Sequence, residues 1–300
     1  MKRIWWIVSI ALAILLVAGG ALFLYVYSSL SSTADDIYEP VERESQSLYR
    51  PKPADVDERD PISFLLLGLD AEEETSGRTD TMIVATVNQT KDSIQMVSIP
   101  RDTRTEIIGR NVEDKINHAY AFGGAKMAMD TVENLLDIPI DYVVTINMDG
   151  FQEMVDAVGG VTVNNAFNFE YDGFDFIEGP VELDGEAALA YVRMRYEDPQ
   201  GDHGRNIRQR QVIEGVLQEG ARISSVTRMD QILSAIGTNV ETNLTFQEMT
   251  DLFAYQSARH QIEQQTLTGT ATYIDSIYYL LVSDEQIAEV SESLQEHLEL

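Results

Sequence analysis

A continuous apolar run from Ile4 to Tyr27, without one charged residue, constrains this chain more than any other feature. A helix of that length crosses a hydrocarbon core of about 30 Å, so everything after it must fold on one side of a bilayer. Lys2 and Arg3 precede the run and Asp35 and Asp36 come after it. By the positive-inside tendency the N-terminus is then cytoplasmic and the remainder extracytoplasmic. Trp5, Trp6, Tyr25 and Tyr27 stand at its ends, where interfacial aromatics anchor a spanning helix. A cleaved signal peptide is the competing reading, but its apolar core covers only roughly 7–15 residues. The expectation is a single-pass anchor in the cell membrane over residues 1–27.

Beyond the anchor the chain is acidic. Over the whole sequence Asp and Glu number 50 against 21 Lys and Arg, a formal net charge of −29. Nucleic acid is excluded as a partner, since its phosphates demand the cations this surface lacks. The absence of cysteine excludes disulfides, thiolate metal sites and a Cys nucleophile.

Residues 28–60 are polar, aperiodic and carry Pro40, Pro51 and Pro53, which reads as a stalk between membrane and domain. From residue 61 onward strands and helices alternate. Ile62 to Leu69 is a buried strand ending at Asp70; Thr81 to Gln89 and Ser93 to Ile99 form a hairpin about Thr90-Lys91-Asp92. The spacing of Ala125, Met129, Val132 and Leu136 predicts a helix over 123–136. Strand 142–148, helix 150–158 closed by Gly159-Gly160, and strand 161–164 come next, then a helix over 186–191 capped by Asp184. A longer helix spans 204–222, and a last one starts at Asp284. This alternation is that of one layered α/β domain over 61–300.

Arginine is unevenly spread. Five of the sixteen, Arg193, Arg195, Arg205, Arg208 and Arg210, fall within eighteen residues. The guanidinium fork binds phosphate bidentately and keeps its charge, so a multi-oxygen anion is one explanation. Pairing with Glu197, Asp198 and Asp202 is the other. On the 204–222 helix Arg205, Gln209, Val212 and Val216 share a face, polar at the helix start and apolar beyond. An anion at that start gains from the free N–H groups, and an apolar tail attached to it could run along the same stripe.

Two further constellations stand near strand ends. Asp70 and Asp80 are carboxylates that could share a hard cation such as Mg²⁺, which takes one or two carboxylates and keeps water, or cap turns instead. Ser98-Ile-Pro-Arg101-Asp102-Thr-Arg104 brings two more cations to a strand end, with Lys115-Ile-Asn-His118-Ala-Tyr120 after it. No second His or Cys stands at ligand spacing, so His118 reads as a structural hydrogen bonder.

With those residues in view the chain resembles the LytR-CpsA-Psr family of bacterial cell-wall proteins, in particular its teichoic-acid transferases. The resemblance is carried by Leu66-Leu-Gly-Leu-Asp70, Arg78-Thr-Asp-Thr-Met82, Ser98-Ile-Pro-Arg-Asp-Thr103, Lys115-Ile-Asn-His-Ala-Tyr120, Ala188-Leu-Ala-Tyr-Val-Arg-Met-Arg195 and Asp202-His-Gly-Arg-Asn-Ile-Arg-Gln-Arg210. These lie in the family's order over residues 62–220. The resemblance implies a three-layer α/β/α sandwich with a mixed central sheet, binding a polyprenyl pyrophosphate with its tail in an apolar tunnel. It implies transfer of a glycopolymer with its phosphate from undecaprenyl pyrophosphate to a peptidoglycan hydroxyl.

Carried over by motif, Asp70 and Asp80 would hold Mg²⁺, with Mn²⁺ as the substitute. Arg101, Arg104, Lys115, Arg193, Arg195, Arg205, Arg208 and Gln209 would contact the pyrophosphate, Arg101, Arg193 and Arg205 at the reacting centre. Asp102 and Asp202 are the candidate bases. A non-catalytic regulator that binds polyprenyl phosphates and a lipid-pyrophosphate hydrolase are the other readings.

Overall fold

The computed structural model of the chain describes residues 24–43, 47, 49–50, 52–70, 77–195, 197–220 and 226–300. The expected anchor over 4–27 lies almost wholly outside the described residues, among which no helix is long and apolar enough to cross a membrane.

The centre of the fold is a six-stranded sheet. Its strands are β1 (Ile62–Asp70), β2 (Arg78–Asn88), β3 (Ser93–Ser98), β6 (Tyr142–Ile146), β11 (Val240–Thr242) and β12 (Ile262–Thr266), in the order β11-β6-β1-β2-β3-β12. Two of the pairings, β1 with β6 and β3 with β12, are parallel and the others antiparallel, giving the expected mixed sheet. Alternate residues of a strand face opposite ways. Leu65 and Leu67 of β1 therefore enter one core and Phe64 and Leu66 the other side. Covering on both faces is why β1 reads as an unbroken apolar run. Between β2 and β3 the turn closes on Asp92, at φ +50°.

One face carries α2 (His118–Leu136) and α8 (Asp284–Leu298), whose Met129, Val132, Leu136, Val290 and Leu294 pack on Leu65, Leu67, Val84 and Val97. Helix α2 is two helical pieces joined at a kink, where Gly123 and Gly124 take non-helical angles; the expected helix from Gly123 is the second piece, and the first starts five residues earlier. At φ +62° Gly124 occupies backbone space that side chains disfavour.

The opposite face carries α3 (Met148–Val158), α4 (Gly185–Arg193) and α5 (Asp202–Gly220), with the small pairs β7 (Val161–Asn165)/β10 (Gly179–Leu183) and β8 (Phe169–Tyr171)/β9 (Phe174–Phe176). Asp184 caps α4 as expected, accepting from Ala187 N, and Gly159 closes α3 at φ +95°. Val155, Val163, Phe169, Phe176, Tyr191 and Val212 form a second core within this layer. The stripe of Arg205, Gln209, Val212 and Val216 is buried or half-buried as its spacing implies, but Val212 and Val216 pack into that second core. The residue of α5 that packs on the sheet, beside Ile83, Ala85 and Met96, is Ile213. Periodicity identifies a buried face; it does not say what covers it.

The described residues of 28–60, expected as a stalk, lie against the domain. Residues 24–37 are helical, with Ala34 and Ile37 buried, and Tyr38 makes a parallel bridge to Thr242. Arg43 pairs with Asp130 and Glu133 of α2, and Arg50 donates to both oxygens of Asp141 at 3.1 Å. Single buried residues and ion pairs dock this segment, so it has no apolar period to read.

Candidate active site

Strands β1, β3, β6 and β12 all run the same way, so their C-terminal ends share one edge of the sheet with the start of β2. Open α/β sheets bind ligands at such an edge. Asp70 ends β1 opposite Arg78, and Asp80 lies two residues further along β2. The side chains of Asp70 and Asp202 lie outside the described residues.

Beyond β3 the chain turns sharply, with Thr103 N donating to Pro100 O at 2.9 Å, and this turn aims Arg101 and Asp102 along the edge. Arg101 Nη1 donates to Asp80 Oδ1 at 2.5 Å, and its Nε stands 3.8 Å from Asp102 Oδ2. Asp102 Oδ1 accepts from Lys115 Nζ at 2.6 Å. Lys115 is held opposite Arg104 in the hairpin β4 (Arg104–Ile107)/β5 (Val112–Lys115). Asp80, Arg101, Asp102 and Lys115 thus form a line of alternating charge, each half-buried at 13–26% side-chain exposure. Arg104 pairs with Glu113 and lies 5.9 Å from the ring centre of Tyr279. Burial and the neighbouring Asp114 carboxylate hold the Tyr279 phenol above its ordinary range.

From the helical layer, Arg193 ends α4 at the surface, Arg195 comes next in the α4–α5 junction, and Asp202 opens α5. Arg205 and Gln209 are buried in the first turns of α5 at 7% and 9% exposure. What pins those turns to the sheet edge is Arg210. Its Nη1 donates to Ser98 Oγ at 2.6 Å and Thr266 Oγ1 at 2.7 Å, at the ends of β3 and β12. Burial pushes the Arg210 pKa down to about 10, which leaves it charged at neutral pH. Arg195 and Asp102 share the wall of one cavity, so the loop after β3 and the α4–α5 junction converge on the same edge.

Arg208 is turned inward. It donates to Tyr191 O at 2.9 Å, to Met194 O and to the buried Asp198 carboxylate, under the Phe169 ring. Its fork holds the α4–α5 junction together and is not directed at the edge where the other cations gather. His118 bonds Asp114 Oδ2 through Nδ1 at 2.7 Å, a structural pairing.

The donor chemistry at the strand ends suits a hard cation. Asp80 offers carboxylate oxygen at the edge, on the strand next to the one that Asp70 ends. Among the described residues no cluster of three His, Cys, Asp or Glu forms a fuller cage.

Two residues at this edge receive no role in the motif reading. Asn206 is overshadowed by its arginine neighbours, although its position four before Arg210 puts it on the same side of α5. Tyr278 belongs to the hairpin β13 (Thr270–Ile274)/β14 (Ile277–Leu281), far along the chain from every motif.

Fixed cations from both layers, with carboxylates between them, make an edge fitted to a polyphosphate. Known proteins match the chain closely. The LytR_cpsA_psr family matches residues 24–296. A relative from Halalkalibacterium halodurans, named polyisoprenyl-teichoic acid–peptidoglycan teichoic acid transferase TagU, is 52% identical over 280 residues, 92% of each chain. The protein of that name from Bacillus subtilis is 45% identical over 289 residues, 96% of this chain and 94% of its own. Among solved structures, that of TagT bound to LIIa-WTA superposes with a TM-score of 0.75 at 32% identity, covering 88% of this chain and all of that one.

Proposed function

Because the chain belongs to the LytR_cpsA_psr family, we propose that it is a phosphotransferase that moves wall teichoic acid, with its linking phosphate, from undecaprenyl pyrophosphate to a peptidoglycan hydroxyl. The observation that carries this reading is the convergence of Arg101, Lys115 and Arg195 on one sheet edge, to which Arg210 pins the first turns of α5 that hold Arg205. The names of the relatives supply the polymer and the acceptor.

In the reaction the acceptor hydroxyl gives its proton to a carboxylate of the edge, Asp102 or Asp202, and its oxygen forms a bond to the phosphorus that carries the polymer. The bond from that phosphorus to the bridging oxygen breaks, and polyprenyl phosphate leaves. Charge builds on the equatorial and leaving oxygens, and fixed guanidinium groups neutralise it without reorganising. Arg101 and Lys115 hold the pyrophosphate from the sheet side, Arg193, Arg195, Arg205 and Gln209 from the helical side. Half-buried Phe64, Leu66 and Ile213, on the sheet face towards α5, suit the first part of an isoprenoid tail. Asp70 and Asp80 would hold Mg²⁺, which when bound adds charge neutralisation at the phosphate oxygens. A membrane anchor over 4–27 keeps enzyme and lipid-linked donor on one surface and raises their effective concentration.

Purified full-length chain, supplied with a lipid-pyrophosphate-linked polymer, a peptidoglycan acceptor and Mg²⁺, should yield polymer joined to peptidoglycan. Asp80→Ala and Arg205→Ala should each lower this transfer by about 100-fold or more, with unchanged circular dichroism. Lipid binding without product would favour a regulator, and release of phosphorylated sugar regardless of acceptor a hydrolase.

A further inference from the structure

The first described residues form a helix over 24–37, and two contacts fix the direction in which it lies on the domain. Near its start the Tyr27 ring meets Phe246 edge-on at 5.4 Å. Further along, Thr33 lies against Gly237, where a Cβ would stand 3.5 Å from its Cγ2. Gly237 precedes β11 and Phe246 follows it, and β11 runs antiparallel to β6, so the two contacts mark opposite ends of β6. Gly237 lies towards the catalytic end, since just past β6 Asn147 N donates to Asn239 O at 3.3 Å. Phe246 lies at the other, where β6 begins: Asn243 Nδ2 donates to Asp141 O at 3.1 Å, and Tyr142 Oη to Glu248 Oε1 at 2.9 Å. The helix therefore starts at the end of the sheet opposite the catalytic edge and climbs towards that edge.

The uncharged apolar run closes at Tyr27, so it leaves the domain at that opposite end. Leu24, Tyr25 and Tyr27 are there 66%, 52% and 52% exposed. Such residues suit the boundary between hydrocarbon and headgroups, where a tyrosine ring is covered and its hydroxyl stays wet. The loop before β1, at the same end, is exposed and acidic, with Asp55, Asp57, Glu58 and Asp60 against Lys52 and Arg59. Carboxylates are costly to bury, so this loop stays hydrated and narrows the contact to the rings. The helix runs on from Leu24 to Ala34 and Ile37, which are buried in the domain, so anchor and domain share one orientation.

We propose that the domain stands on the outer leaflet by this end, with Tyr25, Tyr27 and Phe246 at the lipid surface, and holds its catalytic edge away from the bilayer. The nine residues of β1 span about 30 Å at a strand's rise per residue, which sets the scale of the separation. A lipid-linked donor is then met above the membrane, with part of its tail drawn out of the leaflet. Phe64 and Leu66, which succeed one another along β1 from the membrane end, give that tail apolar cover. The orientation rests on the anchor proposed above and adds to it the face that meets the lipid.

Because the chain has no cysteine, single fluorophores can be placed on it through Gln247→Cys, beside Phe246, and Thr270→Cys, four residues beyond the end of β12. Both positions are exposed. Each labelled full-length chain is reconstituted in vesicles of phosphatidylcholine and phosphatidylglycerol that contain a lipid with a nitroxide headgroup. The label at position 247 should be quenched at least fivefold more than the label at position 270, and Tyr25→Ser combined with Phe246→Ser should shrink that gap below twofold. Equal quenching of the two labels, or a gap that the double variant leaves intact, would overturn the orientation. Flotation of the vesicles reports the anchor by itself. A chain left behind sinks the anchor and the orientation together, whereas a chain that floats with position 270 the more quenched sinks the orientation alone.

Discussion

Asp198 is a single carboxylate on which the geometry of the arginine cluster depends. It is 8% exposed and pairs with Arg208, itself 4% exposed, inside the α4–α5 junction. Removing one partner of such a pair leaves a buried charge uncompensated. Asp198→Ala should therefore lower the unfolding free energy by about 3–5 kcal/mol in urea titration, and should reduce transfer through the displaced junction. A Cβ at Gly204 would overlap the same carboxylate, so Gly204→Ala should destabilise in the same direction by about 1–3 kcal/mol. The pairing with Asp198 is one of the two readings the arginine cluster allows, but that it falls to Arg208 is not legible in the chain, because the five arginines between Arg193 and Arg210 look alike. Arg101 is more legible: it follows closely on an apolar strand, and a cation just beyond such a strand has few places to go but the edge, whereas Lys115 rests on its motif alone.

At the level of elements, α8 is locked to the sheet by His297. Its Nδ1 lies 2.8 Å from Thr86 Oγ1 and its Nε2 2.9 Å from Ser93 Oγ, with the residue buried. Burial first, and then nearby Lys91, hold its pKa below the ordinary 6.5. Below pH 6.5 the unfolded chain then binds a proton that the folded chain does not, so stability rises with pH there and falls as the solution is acidified. Once the pH drops beneath the depressed folded value, the loss is complete. Urea midpoints measured between pH 7.5 and 5 should show this decline, and His297→Gln should flatten it. The central strands and the helices with clear periods are readable from residue spacing, as Ile62 to Leu69 and Met129 to Leu136 demonstrate. The pairs β4/β5 and β8/β9 are not, because strands of four and three residues are too short to establish a period of two.

For the whole molecule, the segment before β1 is part of the stability of the domain. Arg50 meets an Asp141 carboxylate whose pKa burial raises and Arg50 opposes, while Arg43 meets Glu133 at 3.0 Å. A chain begun at residue 61 should therefore unfold at lower urea than one begun at residue 24, by about 3 kcal/mol or more, with Arg50→Ala giving part of the loss. The line of alternating charge from Asp80 to Lys115 has its own molecular consequence. Because each cation already has a carboxylate against it, the edge by itself projects little net attraction into solution. On the proposed function, stray phosphate and free anionic polymer then gain little by entering. The proposed donor would bring compensation of its own, a divalent ion for the carboxylates and a hydrocarbon chain for the interior, before the internal pairs give way. Discrimination between lipid-linked and free polymer is in that sense a threshold set by self-quenching.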